Sequence, residues 1–146
     1  MAGDLIRETR RAALTHLKDW QPLTDLVAPA SIHPSQTPAL VEWPFVRWDA
    51  PQSIPFDLSC VEGATITFLL HGFAKDRLEG KLAVETAEDH ASRLGTALKT
   101  GLHQRRLPVA DTTALFRVRS VRLLRDGDEA GAYHVVLSCE ARILAS

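Results

Sequence analysis

The chain has little cysteine, few aromatic residues, almost no net charge and no long apolar run, and each shortage excludes a class of protein. Cys60 and Cys139 are the two cysteines in 146 residues, too few and too far apart for a disulfide scaffold or a cysteine-based metal site. Both read as reduced, semi-buried strand residues. Lys and Arg number 17 against 18 for Asp and Glu, a net charge of −1, so no overall field draws nucleic acid to the molecule. No stretch approaches the roughly 20 apolar residues of a membrane-spanning helix. The start is charged at Asp4, Arg7, Glu8, Arg10 and Arg11, where a secretory signal is apolar. The expectation is a soluble cytoplasmic product with no membrane partner.

Chemistry-bearing motifs are equally scarce. Six histidines, at positions 16, 33, 71, 90, 103 and 134, form no pair at ligand spacing and lie near no cysteine or carboxylate cluster, so no metal site is assigned. No Gly-x-Ser-x-Gly elbow occurs, and the glycines at 63, 72, 80, 95 and 101 build no phosphate-cradling loop. The reading is therefore no catalytic residue, no cofactor and no enzyme. His71 reads as a partly buried strand histidine bonded to the backbone, and His90 as a residue on the solvated side of a helix.

What remains is an ordinary globular composition, 45% hydrophobic and 24% charged. A chain of this length buries about 70% of its unfolded surface around one core, which predicts a single domain over 1–146. From Asp4 to Trp20, Leu5, Ile6, Ala13, Leu14 and Leu17 recur near one face, predicting an amphipathic helix with Asp4 as its cap and a stop at Gln21-Pro22. Six of the eight prolines fall between Ala28 and Pro55 and allow only short extended pieces, among them a strand through Trp43–Trp48. Thr65–Phe73 is the strongest strand. Val84, Ala87, Ala91, Leu94, Leu98 and Leu102 then predict the main helix, with Lys99, His103, Arg105 and Arg106 at the end where the helix dipole favours cations. Thr113–Arg125 and Ala132–Leu144, joined through Asp126-Gly127, predict a hairpin. The expected fold is α+β: a mainly antiparallel sheet of about four strands, packed by an N-terminal helix and one long central helix, with a C-terminal β-hairpin.

Two local features point to contacts. Between His103 and Arg125 stand six arginines (105, 106, 117, 119, 122 and 125) against one acid, Asp111. Arg117 and Arg119 share a parity, and Arg122 breaks it, which predicts a bulge or a twist. The stretch is either a solvated sheet face with ion pairs, or an oligomer interface or DNA-facing lumen built from Arg117, Arg119, Arg122 and Arg125. In the interface reading, Asp126, Asp128 and Glu129 of the hairpin turn supply the acids. Trp43 and Trp48 flank a short strand, and either plug the sheet edge or join a subunit interface, where large aromatics are enriched.

Three patterns resemble the small tail-completion or tail-terminator proteins of siphophages, prophages and gene transfer agents. They are the opening helix followed by Leu23-Thr24-Asp25-Leu26-Val27, the proline-aromatic-valine step Trp43-Pro44-Phe45-Val46, and the strand Thr65–Phe73 followed by Gly80 and a helix ending at Leu98. Together they span about residues 5–102, and the terminal hairpin matches in kind. The resemblance implies a virion protein of the neck, at the top of the tail, assembled in the bacterial host's cytoplasm. It implies a homo-oligomeric ring, typically a hexamer, that caps the finished tail tube and offers a surface to the head-side connector. The implied partners are copies of the chain, the major tail tube protein and a head-side stopper or connector, with non-specific contact to passing DNA. The close alternative to what the resemblance implies is a head-closure or connector neck protein; a reading of a different class is a small ligand-binding or enzymatic α+β domain with polar groups such as His71 and Glu140 converging in a cavity.

Overall fold

The computed structural model describes residues 4–56 and 62–145. Its helices are α1 (Leu5–Lys18), α2 (Gln21–Thr24) and α3 (Ala87–Leu102). The strands are β1 (Ile32–His33), β2 (Phe45–Pro55), β3 (Glu62–Lys75), β4 (Arg77–Glu79), β5 (Leu82–Glu85), β6 (Arg105–Val109), β7 (Thr112–Arg125) and β8 (Ala132–Ala145). Six of them form one sheet in the order β1-β2-β3-β8-β7-β6, while β4 and β5 make a separate hairpin. Every pairing is antiparallel except the two-residue parallel step between β1 and β2.

The α+β class agrees with expectation, but the sheet has six strands instead of about four, and α1 and α3 are of similar length, 14 and 16 residues. Two local causes account for the difference. Val84 lies at helical spacing from Ala87 and Ala91, yet it belongs to β5; α3 begins only after Thr86, whose hydroxyl accepts the Asp89 N–H at 3.1 Å. At the other end Gln104 takes a φ of 58°, a left-handed conformation that stops the helix. Arg105 and Arg106 therefore leave the helix end and open β6.

Alternation along the long strands sorts residues onto two faces. Ala64, Ile66, Phe68 and Leu70 of β3, Leu137, Cys139, Ala141 and Ile143 of β8, and Ala114 and Phe116 of β7 are buried toward the helices. Trp48 stacks on Phe68 with ring centroids 4.1 Å apart, and Phe68 meets Phe116 edge-on. The helices close this face with Ala13, Leu14 and Leu17 of α1 and Leu94, Leu98 and Leu102 of α3, each buried leucine contributing about 1.5–3 kcal/mol. Asp4 caps α1, its carboxylate accepting the Arg7 N–H at 3.1 Å. The two helices join where Trp20 Nε1–H donates to the Ala97 carbonyl at 3.1 Å and His16 Nε2–H to that of Gly101 at 2.8 Å.

Close approach of α3 to the sheet depends on two glycines. A Cβ on Gly72 would stand 2.8 Å from both Leu94 and Val135, and one on Gly95 2.7 Å from Val135. Cys139 is a buried strand residue whose thiol pKa is pushed up to about 12 by burial; Cys60 lies outside the described residues.

Candidate functional site

Among the described residues no helix covers the other face of the sheet, and pairing aligns its side chains in rows running across the strands. At one end stand Phe45, Phe73, His134 and Leu124, followed by Arg47, His71, Val136 and Arg122. The third row is Asp49, Leu69, Ser138 and Ser120, and the fourth Gln52, Thr67, Glu140 and Arg117. The last is Ile54, Thr65, Arg142, Leu115 and Arg106.

The first two rows are close-packed. Phe73 stacks between Phe45 and His134, with centroids 4.6 and 4.2 Å away, and the Arg47 guanidinium lies 5.8 Å from its ring. His71 is 7% exposed although it stands on the uncovered face. Its Nε2 lies 2.9 Å from Asp49 Oδ2 and its Nδ1 2.5 Å from His134 Nε2. The expected backbone partner is thus replaced by side chains that themselves roof the imidazole. Burial holds the His71 pKa below its ordinary value, against the pull of Asp49. Burial, and then the neighbouring His71, lower that of His134 to about 4. Both imidazoles are therefore neutral at pH 7. His90 corrects a second expectation: it is 6% exposed, and its Nδ1–H donates to the Lys75 carbonyl at 2.9 Å.

Arginines stand in the second, fourth and fifth rows. β7 shifts register between Val118 and Ser120, the bulge that Arg122 foretold, and Arg122 thereby returns to the face of Arg117. Arg119 sits in the bulge and bonds Glu140 at 2.9 Å. Arg125 pairs with Tyr133 on the opposite parity, so it does not join the other three. Arg106, expected near the helix end, and Arg142, from outside the basic stretch, line a groove of 420 Å³ on this face with Thr113, Leu115 and Leu144. Only strand register, invisible before β6 is recognised, brings them there. Arg106, Arg117 and Arg122 make no ion pair among the described residues.

The other candidate residues are dispersed. Asp126 accepts the Asp128 N–H at 3.0 Å within the turn, and Glu129 accepts from Lys75 at 3.0 Å, so two of the three turn acids already have partners. Trp48 is fully buried in the core, and the interface reading does not hold for its side chain. Trp43 is half-buried at the rim, edge-on to Phe45 at 5.0 Å, with the Lys75 ammonium 4.5 Å from its ring. His71 and Glu140 share a face but lie four residues apart along the register, about 13 Å, so their polar groups do not converge.

A sheet with one face packed by helices and the other uncovered and bearing arginines offers a broad surface for contact. The chain belongs to the tail completion protein gp17 family, whose model matches residues 11–144. It is accordingly a structural virion protein of tail assembly and not an enzyme. The resemblance carried by Leu23–Val27, Trp43–Val46 and Thr65–Phe73 is borne out. In fold it is similar to a chain from the virion of a native gene transfer agent particle, 14% identical, with a TM-score of 0.78 over 99% of this chain and 100% of that one. A second solved chain, 13% identical, shares the fold at a TM-score of 0.56 with 99% of each chain covered. No curated protein sequence matches the chain.

Proposed function

We propose that the protein is a subunit of a closed, hexameric ring that ends the tail tube and joins the tail to the head-side connector in the neck of the particle. Its partners are copies of itself, the major tail tube protein and a head-side stopper or connector. The observation that carries this reading is the uncovered sheet face, with Arg106, Arg117, Arg122 and Arg142 spread across its strands and Glu140 among them. A closed ring repeats one face around its axis. If that face points inward, the arginines line a lumen whose positive field meets the phosphates of DNA without reading sequence, an attraction that salt weakens.

The partnering of Glu129 and Asp126 within the chain favours this lumen over pairing of the arginines with the next subunit's turn. A head-closure role shares the ring and differs in position. Electron microscopy of particles carrying a labelled copy of the chain separates the two. Label where tube meets neck is the expected result; label on the capsid side of the connector, or along the tube, contradicts it.

A further inference from the structure

Two elements of the subunit present open strand edges. β6 pairs with β7 only over Thr112–Phe116, and the Val118 N–H is taken by His103 Nδ1 at 3.1 Å. From Arg119 to Arg125 the edge of β7 away from β8 has no strand beside it among the described residues, a length of roughly 20 Å. Such an edge is a template for another strand. On its helix-facing side, Val121 and Leu123 stand two residues apart, 44% and 37% exposed.

The β4–β5 hairpin mirrors this pattern. Leu82 and Val84 also stand two residues apart on one face of β5 and are 68% and 37% exposed, while Leu78 looks the other way into a groove with Leu26, Trp43 and His90. The hairpin is anchored firmly at its base. The Asp76 carboxylate accepts the Ala87 N–H at 2.8 Å, and Glu85 accepts from Arg93 at 2.7 Å and Arg77 at 3.3 Å. A free two-stranded hairpin is marginal in water, so an anchored one that holds leucine outward is prepared for a partner.

Within one chain the two elements do not cover each other, since Leu82, Val84, Val121 and Leu123 all remain exposed. Arg93, which anchors the hairpin, and Gly95, which faces Val121 and Val135, are two residues apart on α3 and so about 200° apart around its axis. The hairpin is thus held on the side of α3 away from the sheet and pairs with no strand of it in its own chain, so the hairpin of one subunit and the edge of the next are different surfaces, as a head-to-tail contact requires.

We propose that the β4–β5 hairpin of one subunit docks along the open edge of β7 in the next, joining Leu82 and Val84 to Val121 and Leu123 in one apolar cluster, with Glu79 brought to the arginine-flanked edge. The inference rests on the ring reading. It is tested by cross-linking particles made by cells whose only copy of the gene carries Cys60→Ser, Leu82→Cys and Leu123→Cys, using a short bismaleimide. The expected result is a denaturing-gel ladder extending beyond the dimer, which is lost when either new cysteine is omitted. Monomer alone, from particles shown by quantitative mass spectrometry to hold several copies, overturns the docking and leaves the ring standing. One copy per particle overturns the ring, and the docking with it. If the cysteines prevent assembly, Leu82→Asp and Leu123→Asp made singly decide the matter. Both must abolish particles while the purified chain keeps its native circular dichroism; normal particle yield from either overturns the docking.

Discussion

Substituting Gly72 by alanine probes the joint on which α3 rests. Alanine ordinarily improves a strand position by about 0.5–1 kcal/mol over glycine. Here its Cβ would stand 2.8 Å from Leu94 Cδ2 and from Val135 Cγ1, and both side chains are fully buried or nearly so. Neither can move aside without leaving its well-packed site, and overpacking of this kind costs about 1–3 kcal/mol. The expected net effect of Gly72→Ala is therefore a loss of up to about 2.5 kcal/mol. Leu94→Ala alone empties a fully buried site and costs about 2–5 kcal/mol. Combined, the two relieve each other in part, because shortening Leu94 removes one of the two clashes while Val135 keeps the other. The double variant should then fall short of the summed losses by about 1 kcal/mol, a coupling typical of residues in contact. Urea unfolding followed by circular dichroism gives the four stabilities of the cycle. A stabilising Gly72→Ala, or strict additivity, would show that α3 does not cross the sheet at this point.

Three further outcomes are expected. Arg117→Glu with Arg119→Glu removes one exposed pair to Glu140, worth less than about 1 kcal/mol, so the chain stays folded while particle yield falls; normal yield would reduce the arginine rows to a solvated surface. Because the folded-state pKa values of His71 and His134 are lowered, their contribution to stability is full above the ordinary histidine value of about 6.5. It is lost as pH falls toward about 4, since the unfolded chain then binds more protons; His134→Gln should flatten the decline in urea midpoint between pH 7 and 4.5, and an unchanged decline would remove the imidazole pair as its source. Trp48→Ala should cost about 3–5 kcal/mol and Trp43→Ala much less, as thermal unfolding would show; equal losses would contradict the burial of one and the rim position of the other.

Periodic apolar residues made the cap at Asp4, the β3 strand and the terminal hairpin readable in advance, and the change of parity at Arg122 revealed the bulge. Elements lacking a strong local signal were missed. β6 begins in Arg105-Arg106, a pair that also suits a helix C-terminus, and the left-handed residue that separates them from α3 is Gln104 instead of a glycine. Val84 satisfied the helical period by accident of spacing, which hid the β4–β5 hairpin. For the site, arginines along one strand were legible, whereas Arg106 and Arg142 reach the same face only through pairing between strands distant in sequence. The imidazole pair was hidden for the same reason: Asp49, His71 and His134 come from three strands, and burial on an uncovered face arises from their mutual cover.

The central claim, that the protein ends the tail and joins it to the head, is tested most directly by electron microscopy of particles from cells lacking the gene. The account predicts overlong or variable tails beside full, unjoined heads, because the tube has lost both its stop and its joining surface. Tails of normal length, whether on intact particles or beside heads that leak their DNA, would contradict it.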